Sequence, residues 1–233
     1  MENLVENISK SVAIELLFEE MPTRPTANAI FREARKIFGD INIINRDEND
    51  IEFSVDKFVA YNEDNTTSPV VLAMGNITDF DDKVAVSEFE RTQIWNVANS
   101  EELLSKYKYA VKIWDVNAQR QIPKERAIML VDWLNVALKL YPKCQAIWIK
   151  SAGKLQLAQS IKNLKETGIV KYLYSMVNIR FFNVPNTNEF IVDSVGLANI
   201  GLSDVQFHFK GMNPNKVANL AYSFARYILN NAD

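Results

Sequence analysis

One nearly unbroken apolar run close to the start of the chain limits the possible folds more than any other feature. Residues Val12 to Phe18 are apolar at every position except Glu15 and include several strand formers. A strand of this kind needs cover on both faces, as in the interior of a layered protein. A proline turn follows, and then an amphipathic helix pattern from Thr26 to Phe38 with Gly39 placed to end it. The chain is therefore expected to begin with a buried strand packed by a helix.

Further strand and helix patterns follow without strict alternation. The sequence predicts strands at 51–61, 69–74, 109–116, 146–149, 176–182, 190–195 and 205–209. It predicts a helix that begins at Pro123, a helix from Leu155 to Leu164, and a C-terminal helix that follows Pro214. Such a mixture is typical of an α+β fold, with helices packed on a largely antiparallel or mixed sheet.

The order of these elements also predicts how the chain is organised. Residues 1–11 precede the first strand and are interpreted as an N-terminal extension, followed by a single α+β domain at 12–233. Within that domain the pattern suggests two βαββ-like halves, 12–78 and 107–233, joined by a helical connector. A chain of 233 residues with 48% hydrophobic residues can bury a core of that size.

Composition argues against several classes of partner. The 26 basic and 29 acidic residues are spread along the chain and give a formal charge of −3, so no strong positive field exists to collect nucleic acid. No stretch approaches the roughly 18–20 apolar residues that span a bilayer, and the N-terminus lacks the pattern of a secretory signal. The single cysteine, Cys144, begins an apolar run and is expected to be a buried thiol in a reducing compartment. We therefore expect a cytoplasmic protein without a nucleic-acid or membrane partner.

The stretch from Asp193 to Lys210 concentrates glycines and polar residues. Gly196 and Gly201 lack the third glycine of a dinucleotide-binding loop and the Gly-Lys-Ser/Thr ending of a phosphate-binding loop. They are therefore expected to supply turns with positive φ.

The only histidine, His208, lies in this stretch. It alternates with Phe207 and Phe209, so it faces away from the core if the phenylalanines face inward. General-base chemistry requires a second group that orients the imidazole ring, and Asp193 and Asp204 are the available carboxylates. A surface histidine and a catalytic one therefore remain alternatives, the first favoured.

No metal site or cofactor is predicted. One histidine and one cysteine would leave two zinc ligands to come from ordinary carboxylates. The acidic cluster from Asp79 to Asp82 lacks the glycine and the terminal glutamate of a calcium loop. We interpret it as the start of a helix, where negative charge is favoured by the helix dipole.

Three tryptophans and one asparagine are candidate contacts for a ligand or a partner. They are Trp95, Trp114, Trp148 and Asn199. Trp114 and Trp148 are on predicted neighbouring strands and could line a pocket, although tryptophans at such positions more often belong to the core.

The chain resembles a known family near its end. The segment from Val195 to Gln206, followed by a helix closing on Ala225-Arg-Tyr-Ile-Leu, is similar to the glycine signature and terminal helix of the DUF4261 domain family. Other segments resemble that family in the same order, across residues 12 to 230: Val12 to Pro22, Trp95-Asn-Val-Ala and Ala146-Ile-Trp-Ile. The lead-in Asp193-Ser-Val departs from the Ser/Arg-Thr-Leu type of that family, so no polar role is carried over to it.

The resemblance implies a bacterial family of uncharacterised function. It implies one α+β domain and offers no accepted catalytic residues to carry over. In size and solitary architecture, members of the family resemble the cytosolic proteins that accompany polymorphic toxins, and this analogy suggests an immunity-type role.

Two functional hypotheses follow. The first is a non-enzymatic protein-binding module of the bacterial cytosol, because no nucleophile–base pair, metal set or phosphate loop is evident and aromatic residues lie near predicted element ends. The alternative is a hydrolase or small-ligand-binding protein with a site near His208, Asp193 and Asp204. A homodimer formed through an exposed edge strand such as 205–209 is compatible with both.

Overall fold

The computed structural model describes residues 11–47, 49–62, 64 and 66–232, so the predicted N-terminal extension lies outside the described residues except for Ser11. Within these ranges the strands are β1 (Ala13–Phe18), β2 (Ile41–Arg46), β3 (Asp50–Tyr61), β4 (Thr67–Asp79), β5 (Tyr109–Val116), β6 (Ala146–Ile149), β7 (Lys154–Leu157), β8 (Asn178–Asn183), β9 (Glu189–Val195) and β10 (Gln206–Lys210). The helices are α1 (Ala27–Phe38), α2 (Asp82–Ala85), α3 (Glu88–Thr92), α4 (Ser100–Lys106), α5 (Pro123–Leu140), α6 (Ala158–Asn163), α7 (Gly168–Met176) and α8 (Pro214–Asn230).

The strands form two antiparallel sheets. The larger has seven strands in the order β2-β3-β4-β5-β1-β6-β7, and the smaller has the order β10-β9-β8. Together with the packed helices they confirm the predicted α+β fold. Because β1 lies between β5 and β6, the two predicted halves contribute to one shared sheet.

The strand β1 is covered on both faces, as its apolar sequence predicts. Ile14 and Leu16 belong to the main core, which also contains the buried faces of α1 and α5. Leu17 points to the opposite face and packs in a second cluster with Trp148, beneath the connector that carries α2, α3 and α4. Glu15 shares this second face near Lys112 and Lys150; its burial raises the pKa of the carboxyl, and the two lysines partly oppose that change.

Three elements differ from the sequence-based expectations. The strand β2 was not predicted, because only Ile41 of its residues is buried and the expected alternation is missing. The predicted helix from Leu155 to Leu164 was wrong in its first part, where β7 pairs with β6. Gly153 adopts φ +56° and turns the chain back, and the helix α6 begins only afterwards. The helix α7 was likewise not predicted.

The two halves are also less alike than their order suggests. Each begins with a strand, a helix and an antiparallel pair of strands. In the first half β2 is the edge of the large sheet, whereas in the second half β6 is the inner strand, beside β1. The order of elements therefore repeats, but the placement of the pair does not.

The smaller sheet packs against α8 on one face. Its apolar side chains and those of the helix form a separate cluster that includes Val192, Phe209, Val217 and Ala221. The opposite face carries Arg180, Asp193 and His208. The β8 edge of this sheet adjoins α3, and this junction positions the candidate site.

Candidate functional site

Asp204 organises the glycine-punctuated loop. Its carboxylate accepts hydrogen bonds from Ser194 Oγ at 2.9 Å and from the backbone N–H groups of Leu197 at 3.0 Å, Gly196 at 3.3 Å and Ala198 at 3.4 Å. Successive N–H groups that converge on one point form an anion-binding concavity. Here the anion comes from the chain itself, so Asp204 holds the loop in shape.

Gly196 must be a glycine for two reasons. Its φ is +131°, a conformation that side chains rarely adopt, and a Cβ there would lie 2.7 Å from the carbonyl oxygen of Met176. Its own carbonyl accepts a 2.7 Å hydrogen bond from the buried hydroxyl of Tyr172. Gly201 has φ +85°, so both glycines supply the expected positive-φ turns.

The other two residues of the alternative site have different polar partners. Asp193 receives a hydrogen bond from Arg180 Nε at 2.9 Å, and a second from the same guanidinium group. The side chain of His208 is 57% exposed, and its Nε2 lies 2.8 Å from a carboxylate oxygen of Glu189. The carboxylate beside the histidine is therefore Glu189 and neither of the aspartates named from the sequence.

Substituting Asp204→Asn is expected to lower the free energy of unfolding by roughly 2 kcal/mol, because one amide oxygen cannot replace two carboxylate oxygens that together accept four hydrogen bonds. Thermal and urea denaturation measure this loss. The exposed carboxylate Asp56 supplies the control, since Asp56→Asn should change stability by no more than about 0.5 kcal/mol. Equal stabilities for the two variants would contradict the structural role of Asp204.

Three of the four candidate contact residues are held within the protein. Trp148 is fully buried in the second core cluster. Trp114 is half-buried beside Gly75, and the Lys112 ammonium lies 5.0 Å from the centroid of one of its rings. Asn199 is buried in a single 3₁₀ turn, and its Nδ2 has no hydrogen-bond partner among the described residues.

Trp95 is placed differently, because it is 53% exposed although its neighbours in sequence are fixed. The buried Gln93 accepts a hydrogen bond from the backbone N–H of Phe181 on β8, at 3.4 Å. Asn96 donates through Nδ2 to the carbonyl of Leu155 on β7, at 3.1 Å. The indole is therefore an exposed aromatic group on a backbone that is tied to both sheets.

The helix α3 is itself held in place. Ser87 and Glu90 form a reciprocal capping box at its start. Arg91 donates to the carboxylates of Asp82 and Glu101, each at 2.8 Å, and so joins α3 to the rest of the connector. These contacts fix the helix beside β8.

Two clefts lie beside α3. One, of about 350 Å³, is lined by Thr92, Trp95, Phe181, Pro214, Asn215 and Ala218. None of these six residues is acidic or basic, so this cleft suits an apolar side chain better than acid–base chemistry. The other, of about 330 Å³, is bordered by Phe89, whose ring stacks on Phe182 with centroids 6.1 Å apart. Phe89 and Trp95 therefore flank the edge of β8.

The remaining chemical candidates do not form a site. Cys144 is buried, and burial raises the pKa of its thiol to about 12, which disfavours the nucleophilic thiolate. Among the described residues no group of three His, Cys, Asp or Glu side chains could hold a metal ion. No helix in the described part of the chain is both long and apolar enough to cross a membrane.

Comparison with known proteins gives one match. Residues 193–233 match the model of the DUF4261 family, a domain of unknown function, which confirms the resemblance over the end of β9, β10 and α8. The more N-terminal resemblances lie outside that match and stay predictions. No curated protein and no solved structure matches the chain.

Proposed function

We propose that this chain, a DUF4261 protein by its residues 193–233, is a protein-binding module that uses Trp95 as its main anchor. The observation that carries the proposal is the combination of a half-exposed indole with fixed flanking residues. Tryptophan is among the residues most enriched at the energetic centres of interfaces. Little backbone conformational entropy is lost when a residue on such a fixed segment is covered, and tryptophan has only two side-chain torsions to order.

The adjoining cleft supports the same proposal. Phe181, Pro214 and Ala218 give it apolar walls next to the indole. Tryptophan buries roughly 150–250 Å² when fully covered, so covering the exposed half at about 25 cal/mol per Å² contributes roughly 2–3 kcal/mol. A partner that inserts an apolar side chain into the cleft would cover the ring and be held by it.

The proposal also extends to the cellular location and the biological role of the protein. We place the protein in the cytoplasm of a bacterium and assign it an immunity-type or adaptor role, in which it acts by covering a surface of its partner. The support is the absence of a recognisable catalytic set from the sequence, together with the resemblance to a bacterial family. A toxin gene beside the gene for this protein would support the immunity-type role, and a neighbourhood without one would favour an adaptor.

Substituting Trp95→Ala is expected to weaken binding to the partner by about 2 kcal/mol, or roughly 30-fold in Kd. The partner is first isolated by pull-down from the native host and then titrated in purified form by calorimetry. Tyr61→Ala is the matched control, since Tyr61 is also an exposed aromatic residue but lies at the end of β3. The proposal fails if no stoichiometric partner is retained, or if both variants bind it as the unmodified protein does.

A hydrolase or small-ligand-binding function near His208, Asp193 and Asp204 is the second candidate. The observation in its favour is the 2.8 Å contact between His208 and Glu189, since a carboxylate can orient an imidazole for proton transfer. Two observations argue against it. The carboxylate of Asp204 is already hydrogen-bonded to the loop that it holds in shape, and His208 lies on an open face of the sheet. If a hydrolytic activity is found, His208→Ala should abolish it, whereas Trp95→Ala should not.

A further inference from the structure

Within the described part of the chain the two sheets have four edges, and three of them are blunted or covered. On β2 the register with β3 shifts between Ile43 and Asn45, an irregularity that bends an edge away from regular pairing. On β7 the carbonyl of Leu155 accepts a hydrogen bond from the side chain of Asn96. On β8 the N–H of Phe181 donates a hydrogen bond to the side chain of Gln93. The strand β10 is the fourth edge, and it keeps an unbroken register with β9 throughout.

The backbone groups that β10 presents outward follow from its pairing. Ser194 N–H donates to the carbonyl of Val205 at 2.8 Å, so this pair is hydrogen-bonded. Because hydrogen-bonded and non-bonded pairs alternate along an antiparallel ladder, the outward groups of β10 belong to Gln206, His208 and Lys210. Among the described residues no strand pairs with them.

We propose that a second copy of this chain pairs with β10, strand against antiparallel strand, with His208 opposite His208 on the twofold axis. The outward residues are placed symmetrically about His208. In this register each outward N–H group of one copy therefore donates to an outward carbonyl of the other copy. Gln206 then faces Lys210 of the other copy, which brings no two like-charged side chains directly opposite each other. Phe207 faces Phe209 of the other copy on the apolar side, and such aromatic cross-strand pairs are stabilising.

The outer surface of α8 supports the same arrangement. Leu220, Phe224 and Tyr227 lie along one stripe of that helix and are exposed. The ring of Phe224 meets that of Phe207 edge-on with centroids 5.4 Å apart, so the stripe lies on the β10 side of the helix. Pairing of two copies would therefore turn the two stripes toward each other.

The spacing fits the size of these side chains. The helix packs mainly over β9. In a joined six-stranded sheet the two β9 strands would be three strand spacings apart, roughly 14 Å. The axes of helices in direct contact are about 8–10 Å apart, which is less than the separation of the two α8 helices above the joined sheet. Large side chains from both stripes would fill the gap that is left between them.

The test compares two substitutions at the same position. Analytical ultracentrifugation of the full chain should show a dimer for the unmodified protein and for His208→Ala, which keeps the backbone N–H. His208→Pro removes an outward N–H from an edge strand, where proline is tolerated within one copy, and should weaken dimerisation at least tenfold. Circular dichroism verifies that the proline variant is folded, and Phe224→Glu offers an independent way to disrupt the stripe.

The register is tested by crosslinking. In His208→Cys the two introduced thiols lie on the axis, with Cα atoms about 5.5 Å apart, a distance that a disulfide can span. Mild oxidation should therefore yield a covalent dimer, whereas the Lys210→Cys thiols should be roughly 13 Å apart and should not crosslink. A monomer at about 100 µM, a dimer unaffected by both His208→Pro and Phe224→Glu, or equal crosslinking of the two cysteine variants would overturn the proposal. Because Trp95 is not part of this surface, the dimer should persist in Trp95→Ala, so the two proposals can fail separately.

Discussion

Replacing Arg126 with methionine is expected to lower the free energy of unfolding by about 3–5 kcal/mol, because Asp115 would be left buried and charged without its partner. Arg126 Nε donates to Asp115 Oδ2 at 2.8 Å and Nη2 donates to Oδ1 at 3.3 Å. Both side chains are at most 1% exposed, so water cannot replace the lost contacts. Urea denaturation followed by tryptophan fluorescence measures the loss.

The position of the ion pair explains why the effect should be global. Asp115 also accepts a hydrogen bond from the backbone N–H of Val12, and its own carbonyl accepts one from Ser11 Oγ at 2.6 Å. The pair therefore joins α5 and β5 to the start of the central strand β1. Loss of the charge partner should destabilise the sheet at its middle.

A double variant separates the charge from the hydrogen bond to Val12. Asp115→Asn combined with Arg126→Met removes both charges but keeps an oxygen that can accept from Val12, so about 2 kcal/mol of the loss should be recovered. Lys139→Met is the control on the same helix, because its ion pair with Glu33 is exposed on the lysine side and should contribute little to stability. If Arg126→Met and Lys139→Met cost the same, the buried pair does not have the assigned role.

The sequence predicted the elements whose burial follows a simple rule. The strand β1 is covered on both faces, and α1 and α8 each bury one stripe, so their apolar patterns are plain. The strand β2 is an edge with a single buried residue, and it leaves no pattern to read. The strand β7 has only four residues, Lys154 to Leu157, in which two leucines alternate with two polar residues, and the leucines also fit the helical spacing of the residues that follow. Errors therefore arose where tertiary contacts, and not periodicity, set the structure.

The candidate site shows the same division. Trp95 was a candidate from its residue type, and the spacing of Ser87 and Glu90 is a local signal for the start of α3. The contacts that fix the segment around Trp95 were not predictable, since Gln93 and Asn96 bind residues far away in sequence, on β8 and β7. The partners of Asp204 were hidden for another reason, because three of the four are backbone N–H groups of a folded loop, which have no sequence signature of their own.

The second large effect concerns pH and a buried lysine. Lys154 is 8% exposed, and its ammonium group donates to the carbonyl of Val177, just after α7. Burial lowers the pKa of Lys154 to about 7. In the unfolded chain the value is about 10.4, so between these two values the unfolded chain binds more protons than the folded one. The contribution of Lys154 to stability is therefore least favourable below pH 7 and rises with pH above it.

The expected size follows from the width of the window. A full difference of one bound proton changes the free energy of unfolding by about 1.36 kcal/mol per pH unit, or roughly 3 kcal/mol between pH 7 and pH 9.5. Other buried groups oppose this change near the top of the window: the Cys144 thiol, whose pKa is also raised by burial, titrates from about 8.5 in the unfolded chain, and tyrosines follow at higher pH. Burial raises the pKa of Tyr107 and of Tyr141 to about 12, so their stabilising contribution is lost as pH rises beyond about 10.

Lys154→Met isolates the lysine from every other titrating group. The free energy of unfolding of both proteins is measured by urea denaturation from pH 6 to pH 9.5. Above pH 7 the value for the unmodified protein should rise by roughly 3 kcal/mol relative to that of the variant. Lys150→Met, which removes an exposed lysine from the neighbouring turn, should give a curve nearly parallel to that of the unmodified protein. Parallel curves for Lys154→Met would mean that Lys154 keeps its proton in the folded state at these pH values. Its contact with Val177 would then stabilise the charged form enough to offset the cost of burial.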